Sequence, residues 1–292
     1  MHVLLTLVGL VLVVLALRDM YHSLIHPSGK GALSHGLMYG LWRISYATGH
    51  RLGPVGPGAM AAAVALWVTL QVVGWALVYL PHVPGGFVYS SGLDPARYDN
   101  LAEAVYISLV DLATLGLGDV VASDPWMRLV MPVEALTGFA LLTAALTWFT
   151  QVYSPLSRRR ALALRLHGLA RADYAAHLPQ LDPAAAGRTL ESVAADVGQM
   201  RIDLTQHTET YYFREGDPDL ALACQLPYAL TLRDSAAASD QPQLRAGARV
   251  LAAALDQLAA KLDHDFLHTD GTPEEVTAAY ARDHAGSGRR SG

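Results

Sequence analysis

Thr114-Leu115-Gly116-Leu117-Gly118-Asp119 is the stretch of this chain whose residue types and spacing could do chemistry, and that chemistry is the coordination of a cation by backbone oxygen. Two glycines one residue apart let successive carbonyls turn the same way, because glycine tolerates backbone angles that other residues avoid. Oxygens stacked in this manner replace the water shell of a cation such as K⁺. Irregular backbone at membrane depth survives only where protein or water satisfies it, so the loop implies a pore if its flanks span a membrane. The motif is weak evidence by itself. Its position after a short helix and between two long apolar runs gives it weight.

Three segments are long enough to supply those flanks: residues 2–25, 59–80 and 126–153. A spanning helix needs about 20 mostly apolar residues. Gly56-Pro57-Gly58 and Pro81 punctuate the second segment, and Pro155 closes the third. The first lacks a positively charged leader and a small-residue cleavage site, so it reads as an uncleaved anchor rather than a removed signal. Asp99 or Asn100 caps a short helix through Val110, with Glu103 in its first turn, and this pore helix and filter occupy about 100–119. Arg18, Lys30, Arg43 and Arg51 fall before the second span, and Arg158, Arg159, Arg160 and Arg165 follow the third. The segment between carries Arg97 amid Asp94, Asp99, Glu103, Asp111, Asp119 and Asp124. Positive loops stay on the cytoplasmic side, which places the amino terminus outside and the carboxy-terminal half inside a plasma (bacterial inner) membrane. Acids at the outer mouth would concentrate cations there.

Charge divides the 292 residues into two expected domains. Residues 1–156 hold 14 charged side chains and residues 157–292 hold 33. The first is expected to be a transmembrane pore domain, 157–283 a helical cytoplasmic domain and 284–292 a disordered tail. Helical periodicity runs near 158–178, 184–207, 217–236 and 243–268, broken by Pro183, Gly216 through Pro218, and Pro242. Residues 33–51, with Leu33, Leu37, Leu41 and Ile44 on one face, fit an amphipathic helix at the inner interface or a helix packed on the bundle. Cys224 is the sole cysteine, which excludes an internal disulfide and a thiolate zinc cluster. The net charge of -5 is mild and excludes nothing, and no basic stripe interleaved with aromatics suggests nucleic acid.

The order of outer helix, pore helix, filter and inner helix across 59–153 resembles the pore module of tetrameric potassium channels of the bacterial two-transmembrane type, here with an extra amino-terminal helix. The filter and Tyr106-Ile107-Ser108-Leu109 ahead of it carry the likeness. The resemblance implies an all-α membrane fold and a homotetramer, since one filter strand cannot enclose an ion. It implies K⁺ held by the Thr114 hydroxyl and the carbonyls of Thr114, Leu115, Gly116 and Leu117, with Gly118 completing the ion-binding filter and Asp119 at its outer end. Two positions depart from the pattern. Leu117 replaces the usual aromatic between the glycines, as in some filters of two-pore-domain potassium channels, and so lacks a bracing hydroxyl. Asp111 stands where threonine is usual; it either bonds a filter amide, places charge behind the ion path, or is an ordinary solvated or paired carboxylate.

Four further sets of residues invite a role. Glu134, inside the third span and two residues after Pro132, must face protein or water, because an unpaired carboxylate in hydrocarbon is costly. It is expected to support the filter from behind by bonding the pore helix or filter backbone, or else to make a helix contact near the outer interface. Thr143, Thr147 and Thr150 share one helix face and would line a wet cavity, or satisfy their hydroxyls on the preceding turn. Gly138 is a possible inner-helix hinge or a close-packing site. His22 with His26, and His264 with His268, have the i, i+4 spacing of a weak divalent-metal site, and read more simply as solvated helix faces.

No enzyme signature, arginine ladder or cofactor fingerprint accompanies them. The sequence therefore points to a passive cation channel whose partners are its own copies, membrane lipid and monovalent cations, with no cofactor beyond K⁺ in the filter. A weakly selective cation channel and a non-conducting membrane-anchored receptor or scaffold are the alternatives.

Overall fold

The computed structural model describes residues 2–24, 31–49 and 55–284. In order, its helices are α1 (His2–Leu24), α2 (Ala32–Ala47), α3 (Val55–Tyr79), α4 (Asn100–Leu112), α5 (Met127–Gln151), α6 (Tyr153–Arg171), the single turn α7 (Tyr174–His177), α8 (Pro183–Gln206), α9 (Leu222–Ala237), α10 (Pro242–Leu262) and α11 (Pro273–His284). Two three-residue strands, β1 (Phe87–Tyr89) and β2 (Val120–Ala122), pair antiparallel with Val88 opposite Val121. The molecule is an all-α membrane protein in class: α1, α3 and the run from α5 are long and apolar enough to cross a membrane. At 1.5 Å per residue, the 25 residues of α3 or α5 extend about 37 Å, enough for a hydrocarbon core of about 30 Å.

The chain divides into two compact units, Met1–Met38 with Ala59–Thr150, and Tyr39–Gly58 with Gln151–Gly292. In the first unit, α1 lies against α3 at paired glycines. A Cβ at Gly9 would sit 2.4 Å from the Gly74 carbonyl oxygen, so the helices approach more closely than any side chain permits. Asp19, buried near the end of α1, accepts hydrogen bonds from the Leu33 amide (2.7 Å), the Ser34 amide (3.0 Å) and Trp67 Nε1 (2.8 Å). It thereby caps α2 and fastens α3. The ring of Trp67 lies 5.3 Å from that of Trp148 on α5.

The second unit is a helical bundle cored by Leu190, Leu251, Leu255 and Leu258. Arginines expected to orient the chain also work inside it. Arg158 grips Asp203 through two bonds of 2.8 and 2.7 Å, and buried Arg159 donates to the Thr210 and Phe213 carbonyls. Trp42 of α2 packs into an aromatic cluster here, donating Nε1–H to Asp283 Oδ2 at 2.9 Å, while Tyr211 stacks on Phe266 at 3.9 Å. Of the two readings of residues 33–51, Trp42 takes the packed one, whereas Ile44 is exposed.

Several sequence boundaries shift for one reason. Proline lacks an amide hydrogen, which a first helical turn does not need, so it starts helices as well as ending them. Gly56-Pro57-Gly58 lie inside the first turn of α3, Pro155 lies in the first turn of α6 rather than closing α5, and Pro183 and Pro242 are first residues of α8 and α10. Helix α11 lies beyond the last periodic segment read from sequence, and His284, assigned to a loose tail, is its last residue. The rest of that tail, 285–292, lies outside the described residues. The β1–β2 ribbon is too short for an alternating pattern to show.

Candidate functional site

Helix α4 is built to stop where the glycine segment starts. Asp99 accepts hydrogen bonds from the Leu101 and Ala102 amides at 2.9 and 3.2 Å, fixing its start, and Glu103 stands in the first turn beside the positive end of the helix dipole. At its other end the amides of Thr114 and Leu115 bond back to the Asp111 and Val110 carbonyls. From there the backbone alternates in handedness: Thr114, Gly116 and Gly118 have φ of +55°, +56° and +73°, while Leu115 and Leu117 between them do not. In an ordinary strand successive carbonyls point to opposite sides. Alternating left- and right-handed residues turns neighbouring peptide groups the same way, the geometry that also makes anion-binding nests from N–H groups. Glycine supplies two of the left-handed positions freely; Thr114, β-branched, holds its position at a cost.

The far end of the segment is fixed twice. The Ser90 amide donates to the Asp119 carbonyl at 2.8 Å, from the strand side of the ribbon. The Tyr106 hydroxyl, on α4, donates to Asp119 Oδ2. Behind the segment, Glu134 is fully buried on α5 and takes two hydroxyls, Ser108 of α4 at 2.5 Å and Tyr79 of α3. One carboxylate therefore binds three helices together. Its partner on α4 is a side chain, and no bond from it to the 114–118 backbone occurs among the described residues.

Gly138 faces the end of α4, where a Cβ would lie 1.9 Å from the Leu112 carbonyl oxygen. This is a close approach that no other residue type could occupy without displacing backbone. Asp111 is half-buried, and its Oδ2 has no hydrogen-bond partner, a filter amide included, among the described residues. Thr143, Thr147 and Thr150 are all exposed, and each hydroxyl bonds a carbonyl of its own helix at 2.8–2.9 Å. Around them Leu136, Phe139, Leu142 and Leu146 leave a broad apolar surface.

Among the described residues no metal cluster forms at either histidine pair. His22 bonds the Arg18 carbonyl and His26 lies outside the described residues. His264 and His268 leave α-helical spacing because α10 ends at Leu262 and a π-helical turn, Asp263–Leu267, follows; His264 bonds Asp265, and His268 turns left-handed at φ +54°. Asp263 instead organises that turn, and bonds from the Thr269 hydroxyl and amide hold its carboxyl below the usual range. Among the described residues no three or more of His, Cys, Asp and Glu are grouped to hold a metal.

Tyr79 is the residue that sequence reasoning did not single out. Its signal was present: a carboxylate inside an apolar span needs a donor, and Tyr79 is the polar group at the corresponding end of the preceding span.

Residues 65–154 match a family model described as an ion channel. Over 160 residues the chain is 26% identical to the uncharacterized membrane protein YdjJ of Bacillus subtilis (strain 168), covering 53% of this chain and 46% of that protein, so it spans less than half of the relative's length. No solved structure matches. The stretch 65–154, carrying most of α3, all of α4, the glycine segment and α5, is thus the part of this all-α membrane protein that is similar to ion channels.

Proposed function

We propose that four copies of this chain assemble around a common axis as a K⁺ channel, with the carbonyls of Thr114 to Leu117 and the Thr114 hydroxyl as the ion sites. The observation that carries this reading is the alternation of backbone handedness at Thr114, Gly116 and Gly118, which turns successive carbonyls to one side. Fourfold assembly accounts for the exposed apolar faces of α5, which in a lone subunit have nothing to cover them but lipid. Passage is passive: ions shed water onto carbonyl rings and advance by mutual repulsion. Thr143, Thr147 and Thr150 line the cavity below, Asp119 marks the outer mouth, and Glu134, through Ser108, positions α4 behind the ion path. The carboxy-terminal unit lies in the cytoplasm, the amino terminus outside the plasma membrane, and no reaction is catalysed.

Flux of K⁺ and Na⁺ into liposomes holding the purified protein tests this, with Gly116→Ala beside it. We expect K⁺ flux in the wild type, little Na⁺ flux, and near-complete loss in the variant, because alanine at φ +56° is strained and breaks the alternation. Equal K⁺ and Na⁺ flux would favour a weakly selective cation channel, a reading to which the unbraced Leu117 lends support. Absence of flux in an assembled wild type would leave an anchored receptor or scaffold.

A further inference from the structure

A cavity of about 660 Å³ opens within the carboxy-terminal unit, between the 213–216 turn, the start of α9 and the end of α11. That size falls within the range of small-molecule sites, about 300–1,000 Å³. Its charge is one-sided. Glu215 is already shared by Arg159 at 3.4 Å and Arg160 at 2.9 Å. Arg214 and Arg282 also line the cavity, and neither has a carboxylate partner among the described residues. Arg214 donates from Nε to the His284 carbonyl at 3.2 Å, and burial depresses its guanidinium below the ordinary value. The sequence that follows, 285–292, has Arg289 and Arg290 and no acidic side chain, so it brings no carboxylate side chain as counter-charge.

Two further features suit an anion. Helix α9, 16 residues long, begins at this cavity with Leu222 and Ala223 in the wall, and Ala221 before them offers no side-chain cap. The amides of a helix's first turn have no partner within the helix and favour negative charge. The remaining wall includes Phe213, Pro227 and Tyr280, surfaces for an organic body rather than for water.

We propose that this cavity binds a phosphate monoester on a compact organic body, its phosphate held by Arg214 and Arg282. A phosphate monoester carries about −1.5 to −2 charges at neutral pH, the complement of two guanidiniums that have no carboxylate partner among the described residues. Arginine's planar fork meets its oxygens in pairs. The inference does not depend on what the pore conducts.

Cys224 makes the test direct, because it lines the cavity, is exposed and is the sole cysteine of the chain. The rate at which a small maleimide labels Cys224 is measured on the full-length protein in detergent, with phenyl phosphate, adenosine monophosphate or short-chain phosphatidic acid added. At least one ester is expected to slow labelling saturably, while phenol, adenosine and diacylglycerol do not. Protection by the soluble esters alone assigns the ligand to a metabolite, and protection by phosphatidic acid alone to a lipid headgroup. Replacing both cations, Arg214→Gln with Arg282→Gln, should raise the half-saturating concentration about tenfold or more, as expected for losing charge-assisted bonds. Should that variant fail to fold, Arg214→Lys alone decides, since it keeps the charge and loses the fork; a several-fold weakening is expected. No saturable protection by any of the three esters overturns the proposal, as does protection unchanged by the arginine substitutions.

Discussion

The two units of this molecule are built on opposite plans. In the first, large apolar side chains such as Leu129, Leu136, Phe139 and Leu146 face outward, while Gln71, Ser108 and Glu134 are fully buried. In the second, Leu190, Leu251 and Leu255 are buried, and Arg165 and Asp196 meet on the surface at 2.5 Å. Each plan answers a different solvent. Against lipid, burying leucine brings little, so helices are held by close backbone approach and by polar bonds that hydrocarbon cannot replace. Against water, burial of apolar area supplies the main driving force and surface ion pairs add little. Specific stability should therefore sit in a few glycines and hydroxyls in the first unit and be spread over many leucines in the second.

The largest effect should come from Gly138→Val. Its side chain overlaps the Leu112 carbonyl, and an overpacking cost of about 3 kcal/mol or more should abolish the assembly proposed above, read against the wild type's elution in detergent. A normal oligomer would mean that α4 yields easily and that close approach is not what holds this unit. Next, Glu134→Ala strands the hydroxyls of Tyr79 and Ser108 in the interior, at about 2–4 kcal/mol. Glu134→Gln keeps an acceptor and should retain most of the melting temperature; equal losses would assign the effect to charge rather than to bonding.

A pH effect should appear in the second unit. Burial holds the His284 imidazole down to about 4, from 6.5. Between those values the unfolded chain binds a proton that the folded chain refuses, so stability falls as pH drops from about 6.5 to 4, by on the order of 2–3 kcal/mol. Hydrogen exchange of α11 should quicken over that window, and His284→Gln should flatten the dependence. The smallest effect is that of Trp42→Phe, which keeps an aromatic ring of smaller size and removes the bond to Asp283, worth about 1.5–3 kcal/mol for a carboxylate acceptor. Exchange protection of α2 would report it, and no change would show that the aromatic contacts alone hold this helix.

How much could be read beforehand follows the same division. Three spans and the glycine segment were legible because length, hydropathy and left-handed backbone preference are local properties. The join of Tyr79 to Glu134 was not, since it unites residues 55 apart in sequence. Nor was the approach of Gly138 to Leu112, for glycine in a helix has the same appearance whether it bends or packs. In the second unit, prolines read as breaks were helix starts, and α11 went unseen because its 12 residues carry few apolar positions to mark a period. The Thr269 and Asp270 bonds to Asp263 depend on how a turn closes, which spacing does not reveal.

Asp19 sets how force can travel through the first unit. Its one carboxylate joins the first turn of α2 to α1 and, through Trp67, to α3, whose indole stands against Trp148 of α5. Tilting α2 must then either sever its two amide bonds to Asp19 together or drag α1, α3 and the tryptophan pair along with it. The first option is expensive for bonds to a buried charge. The first turn of α2 is in this sense a lever with its fulcrum at position 19, and a pull on that turn arrives at α3 and α5 already geared.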